Sequence, residues 1–271
     1  MHFFDYNATT PVSPAAKASW VEANDAHWLN PSSPYRAAAS VKVQLEHVLE
    51  ELGALLSVEP ERLVLNSGAT EGNNNVIRHL RETLPREARI GISPMEHPSV
   101  LEPAKHFFGE RIVWLPVGTD GSVALERIDL SGLSAVSMMA ANNETGNLQP
   151  WEQLSKLCRE RGIPYHCDAS QWIGKMPLEG LGRCDFLTGC GHKFCGPRGT
   201  GFLVVPENAD SSGSLLGGAH QSGRRAGTED LAGATAMLAA LKETEQRRHD
   251  CGPEGKLALL RCLQKDLPEV N

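Results

Sequence analysis

Short apolar runs that end in polar, glycine-bearing loops, each followed by residues at helical spacing, recur along most of this 271-residue chain. Leu63 to Leu65 runs into NSGATEGNNNVI, Arg89 to Ser93 into PMEHPSV, and Ala135 to Met139 into AANNETGNLQP. Further runs lie at Arg111 to Leu115, Ile163 to Asp168, Asp185 to Cys190 and Phe202 to Val205. The helical segments are as legible: Val41, Leu45, Val48, Leu49, Leu52 and Leu55 fall on one face of an amphipathic helix between Ala37 and Leu56. Such a succession predicts an α/β fold, a mostly parallel seven-stranded sheet with helices on both faces.

Open sheets of this kind bind ligands at the carboxyl ends of their strands. Thr70, His97, Asn142, Asn143 and Asp168 all fall on loops that follow strands, and so share that edge. Each alone has a plainer reading, Thr70 as a helix N-cap and Asn142 or Asn143 as a turn residue. Ser67-Gly68-Ala69-Thr70 between a strand and a helix is a construction that offers free backbone amides to a phosphate. Lys193 sits alone in a glycine-bounded turn 25 residues after Asp168, close enough in topology to face it across the mouth of the sheet. Pyridoxal phosphate needs that pair: its aldehyde takes a primary amine, and its ring nitrogen takes an acid that keeps it protonated.

Composition excludes other classes. A formal charge of -7 gives no support to a nucleic-acid partner. No apolar run reaches the length of a membrane span, and MHFFDYNATTP lacks a basic region followed by an apolar core, so a cytoplasmic location is expected. The seven cysteines form no CxxC pair, which argues against a disulfide framework or a metal site and for buried thiols. No GxGxxG follows a strand, as a dinucleotide fold would require.

The expected organisation is an N-terminal arm at 1–14, a cofactor-binding large domain at 15–248, and the beginning of a smaller domain at 249–271. Helices are expected over Ala15 to Asn24, Ser99 to Phe107, Trp151 to Arg161, Leu231 to Arg248 and Gly255 to Leu263. The glycine-rich stretch LLGGAHQSGRRAGTEDLAG has two readings, a solvated loop or a strap that carries Arg224, Arg225 and Thr228 to an anion.

Several stretches, in order, resemble the class-V pyridoxal phosphate enzymes of fold type I, and among them the cysteine desulfurase and selenocysteine lyase group: DYNATTP, NPSSPYR, SGATEGNN, EHPSV, NNETG, HCDASQWIGK, GHKFCGP and RRAGTED. The resemblance implies that Lys193 carries the cofactor as a Schiff base and shuttles the Cα proton, with Asp168 on the pyridine nitrogen. It further implies that Gln171 and Asn142 contact the ring hydroxyl and that His97 stacks on the ring and takes part in proton transfer. Ala69, Thr70, His192 and the position of Cys190 would hold the phosphate, and Thr228 would reach a partner subunit's cofactor in a homodimer. The implied reaction converts L-cysteine to L-alanine and passes sulfur to an enzyme cysteine, then to an acceptor protein.

Two departures stand out. The family often has serine where this chain has Cys190, a poorer hydrogen-bond donor. In desulfurases the sulfur-accepting cysteine lies on a mobile loop and an arginine clamps the substrate carboxylate, and neither is assignable to a residue here. The expectation is therefore a desulfurase represented in part. The alternatives are a catalytically silent or partner-completed cofactor-binding scaffold, a class-V aminotransferase, a selenocysteine lyase, or a variant in which Cys190 or Cys195 takes the sulfur.

Overall fold

Alternation within very short strands decides which helices cover which face of the sheet. In β1 (Leu63–Asn66), Leu63 and Leu65 enter one hydrophobic cluster and Val64 the other. β6 (Phe186–Cys190) and β7 (Gly201–Val204) do the same, with Leu187, Phe202 and Val204 on the first face and Phe186 and Leu203 on the second. On the first face lie α2 (Arg36–Leu56), α5 (Trp151–Glu160) and α6 (Leu231–Asp250), the last of these also packed by α1 (Pro14–Ala26). On the second lie α3 (Ala69–Thr83) and α4 (Pro98–Phe108), through Val76, Ile77, Leu80, Val100, Ala104 and Phe108. Both faces are thus dry, which is why the central strands read as continuous apolar runs.

The computed structural model describes residues 5–207, 209, 215–250, 261 and 265. β2 (Arg89–Ile92), β3 (Ile112–Trp114), β4 (Leu133–Ser137) and β5 (Tyr165–Asp168) complete a seven-stranded α/β sheet of order β1-β7-β6-β5-β4-β2-β3. All pairs are parallel except those made by β7, which is antiparallel to both β1 and β6. β1 and β6 therefore point the same way, although they are not adjacent. That geometry brings Ser67 to Thr70, which follow β1, to the edge where β2, β4, β5 and β6 also end.

Gly201 opens β7 between Asn66 and Cys190, and a Cβ there would stand 2.6 Å from the Cα of Gly68. Only glycine lets the loop after β1 come this close.

Two expectations shift, and a third falls outside the described residues. The strand expected over Ala135 to Met139 is Leu133–Ser137, and Met138 and Ala140 continue by donating backbone bonds to His166 and Asp168 carbonyls. The helix expected over Ala15 to Asn24 starts at Pro14, whose fixed φ suits the first turn, capped by the Ser13 hydroxyl. The expected helix Gly255 to Leu263 and most of 249–271 lie outside the described residues. Among the described residues no helix is long and apolar enough to cross a membrane.

Candidate active site

The strand ends enclose a cleft of about 790 Å³. Ala69, Thr70, His97, Asp168, Gln171, Cys190, His192 and Lys193 all line it. Lys193 is positioned from two sides. Its turn, Gly191–Lys193, is a short 3-10 segment tied back by Gly196 N–H to Gly191 O, 2.9 Å. Across it runs the N-terminal arm, whose Asn7 and Ala8 carbonyls accept from Lys193 Nζ at 2.5 and 2.9 Å. The amine is therefore aimed by acceptors that belong to the arm.

Asp168 ends β5 in the floor of the cleft, 5% exposed. Its Oδ1 accepts from Ser170 N–H at 2.9 Å and its Oδ2 from Asn73 Nδ2 at 2.7 Å. Two further acids and bases stand close by, both out of water. Burial, reinforced by the charge of Asp168, pushes the Glu96 carboxyl well above its usual range, and its Oε1 accepts from Met139 N–H. Burial lowers His166 to about 4 against the opposing pull of Asp168, so it sits neutral between Ser137 and Thr188 hydroxyls at 2.9 and 3.2 Å.

The other end of the cleft collects donors. Gly68, with φ 135°, begins α3 without a side-chain cap, so the first-turn amides open onto the cleft. A helix N-terminus carries partial positive charge, and His192, Lys193 and Arg198 add to it. Burial, followed by the charges of Lys193 and Arg198, holds His192 below the usual histidine range. Burial, followed by Asp168, pushes the Cys190 thiol up to about 11, so it lines the wall as a protonated thiol.

Two expected contacts, those of Asn142 and of the strap arginines, are placed elsewhere. Asn142 does not line the cleft: its Oδ1 accepts from Glu144 N–H, Thr145 N–H and the Thr145 hydroxyl, and its Nδ2 donates to Met95 O. It ties its own loop to the one bearing His97, and the neighbouring Asn143 lines the cleft instead. Thr228 is exposed and lines a separate cavity of about 80 Å³, with Gln221, Arg225 and Thr200. The strap arginines are not free for an anion. Arg225 Nε lies 3.0 Å from Glu71 Oε1, and Arg224 donates to the Glu61 carbonyl. Burial raises Glu71, but its bonds from Arg225 and Ser67 outweigh this and hold the carboxyl below its usual range.

Some residues of the site escaped the sequence reading. Asn7 accepts from Lys193, Gln171 and Lys175 and donates to the Asn143 carbonyl, and the only signal was its place inside DYNATTP. Asn73, in the second turn of α3, and Ser99, in the first turn of α4, are buried under the cleft, and their only signal was likewise their place inside SGATEGNN and EHPSV.

The donor set fits pyridoxal phosphate: a primary amine on one wall, a buried carboxylate in the floor, an uncapped helix start flanked by cations at one end, and an imidazole at the rim. Comparison with known proteins agrees. The cysteine desulfurase of Nostoc sp. (strain PCC 7120) is 34% identical over 241 residues, which cover 87% of this chain and 60% of that protein. The chain thus spans well under two thirds of that relative's length. A solved NifS-like protein superposes with a TM-score of 0.84 at 29% identity, over 90% of this chain and 69% of the other. The structure of SspA in complex with cysteine gives 0.82 at 26% identity, over 89% and 72%. The family model for aminotransferase class-V matches residues 2–252, and the chain belongs to that family, whose cofactor is pyridoxal phosphate.

Proposed function

We propose that this chain carries the cofactor site of a cysteine desulfurase, taking L-cysteine and releasing L-alanine while sulfur passes to a cysteine thiolate. The observation that carries the reading is the convergence of Lys193, Asp168 and the uncapped start of α3 on one cleft, in a chain similar to proteins named for that reaction and to one solved with cysteine bound. When bound, the cofactor supplies an aldehyde and an electron-withdrawing ring. Lys193 is the residue to hold the aldehyde and to move the Cα proton, being the primary amine at the cleft wall. Asp168 holds the ring N–H with a charge-assisted bond, and the α3 amides with His192 hold the phosphate.

Cys190 is disfavoured as sulfur acceptor by its position and its proton. The nucleophile in such a step is a thiolate, and a buried thiol at about 11 is almost wholly protonated at neutral pH. Cys195 is not part of the cleft lining. The acceptor is therefore assigned to another cysteine. We also assign Thr228 to a homodimer contact at a partner's cofactor, since its exposed side chain stands outside the chain's own cleft. Sedimentation of the cofactor-saturated protein should show a dimer, and a saturated monomer would sink that assignment.

The activity test adds pyridoxal phosphate and then L-cysteine while visible absorbance, alanine and sulfide are followed. A new absorbance band that disappears in Lys193→Ala, followed by alanine release, supports the reading. A band with no alanine under any reductant would reduce the chain to a cofactor-binding scaffold.

A further inference from the structure

The ring-binding acid and the rim histidine are joined by a chain of side chains that the proposed chemistry does not itself require. Asn73 is fully buried at the second turn of α3. Its Nδ2 donates one hydrogen to Asp168 Oδ2 at 2.7 Å and the other to Ser99 Oγ at 2.9 Å. Asp168 offers only acceptors there, so the amide must present its NH₂ and the orientation of Asn73 is fixed by chemistry. Ser99 Oγ, having accepted from Asn73, has its own hydrogen left for His97 Nδ1 at 2.8 Å.

A second donor confirms the direction. His97 is the N-cap of α4, and its Nδ1 accepts from the Ser99 backbone N–H at 3.1 Å. A backbone N–H can only donate, so Nδ1 must present its lone pair. The neutral ring then carries its proton on Nε2. Nε2 has no partner among the described residues, and the ring lines the cleft.

We infer that Asn73 and Ser99 are positioning residues that bridge Asp168 to His97 and lock the imidazole with its proton on Nε2, so that it offers the cleft a hydrogen-bond donor and no lone pair. A histidine held in this way cannot serve as the neutral base at its open nitrogen. Proton abstraction in the site falls to Lys193, and His97 is left to stack and to donate a hydrogen bond. The bridge also makes the two residues interdependent: a change in charge at Asp168 reaches His97 through one amide and one hydroxyl. The consequence for chemistry rests on the cofactor-site reading given above, but the bridge does not.

The test is two-bond proton–nitrogen NMR on the labelled full chain, which tells the two neutral tautomers apart without turnover. His97 in the wild type should show a protonated Nε2 and an unprotonated Nδ1, and the reverse pattern overturns the inference. Asp168→Asn should move the His97 Nδ1 resonance in the wild type, and that response should vanish in an Asn73→Leu background. An equal response in both backgrounds overturns the bridge. Ser99→Ala, a small change, should keep the tautomer through the backbone donor yet abolish the response to Asp168→Asn. A persisting response there also counts against it. In cofactor titrations, Asn73→Ala should weaken retention by about tenfold, the loss expected when a buried hydrogen bond to a charged group is removed. These readouts stand whether or not the chain releases alanine, so failure of the bridge and failure of the desulfurase reading are separable.

Discussion

Cys190 shows how one atom can tune a site. It stands at the end of β6 against the start of α3, where a Cβ on Gly68 would lie 4.0 Å from its own Cβ. A thiol held protonated by burial is a weak donor, whereas a hydroxyl of nearly the same shape is a good one. Cys190→Ser should therefore tighten pyridoxal phosphate by about two- to tenfold, the net worth of one ordinary hydrogen bond. A fluorescence titration measures this, and an unchanged or weaker affinity would show that the backbone amides alone set it. Residues such as Lys193, Asp168, Thr70 and His97 were legible in the sequence because Asp168 ends a strand, Thr70 and His97 open helices and Lys193 sits in the turn after a strand, positions that point at a ligand whatever the details. Asn73 and Ser99 were not, because a polar residue inside a helix reads as solvated until its burial is known. Asn142 misled for the reverse reason: its loop position was right, but its side chain is consumed by the turn it caps.

Elements that depend on local pattern were equally readable, and those that depend on distant contacts were not. The α2 stripe and the short apolar strands needed only local pattern, and the structure places them accordingly. The arm at 5–12 needed knowledge of partners more than 180 residues away, which no local pattern carries. There the Thr10 hydroxyl accepts from Cys195 N–H at 2.8 Å and donates to His192 O at 2.9 Å, stitching both sides of the Lys193 turn. Cys195 itself adopts φ 67°, a left-handed conformation uncommon for a non-glycine residue, which these bonds help to hold. Thr10→Val keeps the shape and removes both bonds, so it should cost about 1–3 kcal/mol. Urea unfolding measures the loss. Hydrogen exchange should also quicken at Cys195 and Gly196 while the sheet is unaffected, and uniform exchange across the protein would deny the arm this local role.

At the scale of the whole molecule, two buried titratable groups set opposite limits on stability, and both flank Asp168. His166 on β5 is neutral in the folded state, its pKa lowered to about 4 from 6.5. Between those values the unfolded chain binds a proton that the folded one refuses, so stability falls as pH drops through this window. The full effect is about 3 kcal/mol, from 1.36 kcal/mol for each unit. Glu96 works the other way. Burial, then Asp168, raises its carboxyl well above the usual range, so the folded state keeps a proton the unfolded chain gives up. Its contribution is present at acid pH and is lost as pH rises through the folded value. The two groups hold neutral polar atoms around Asp168 from β4, β5, β6 and the loop after β2 at once, since Glu96 reaches Met139 and His166 reaches Ser137 and Thr188. His166→Gln should flatten the loss of stability on the acid side, between about pH 6.5 and pH 4. Glu96→Gln keeps the acceptor for Met139 and cannot ionise, so it should gain on the wild type as pH rises above the ordinary carboxyl value of 4.5 and lose that advantage in acid below it. Free energies of unfolding measured across this range decide the matter: variants whose pH slopes match the wild type would show that neither group is buried neutral in the fold.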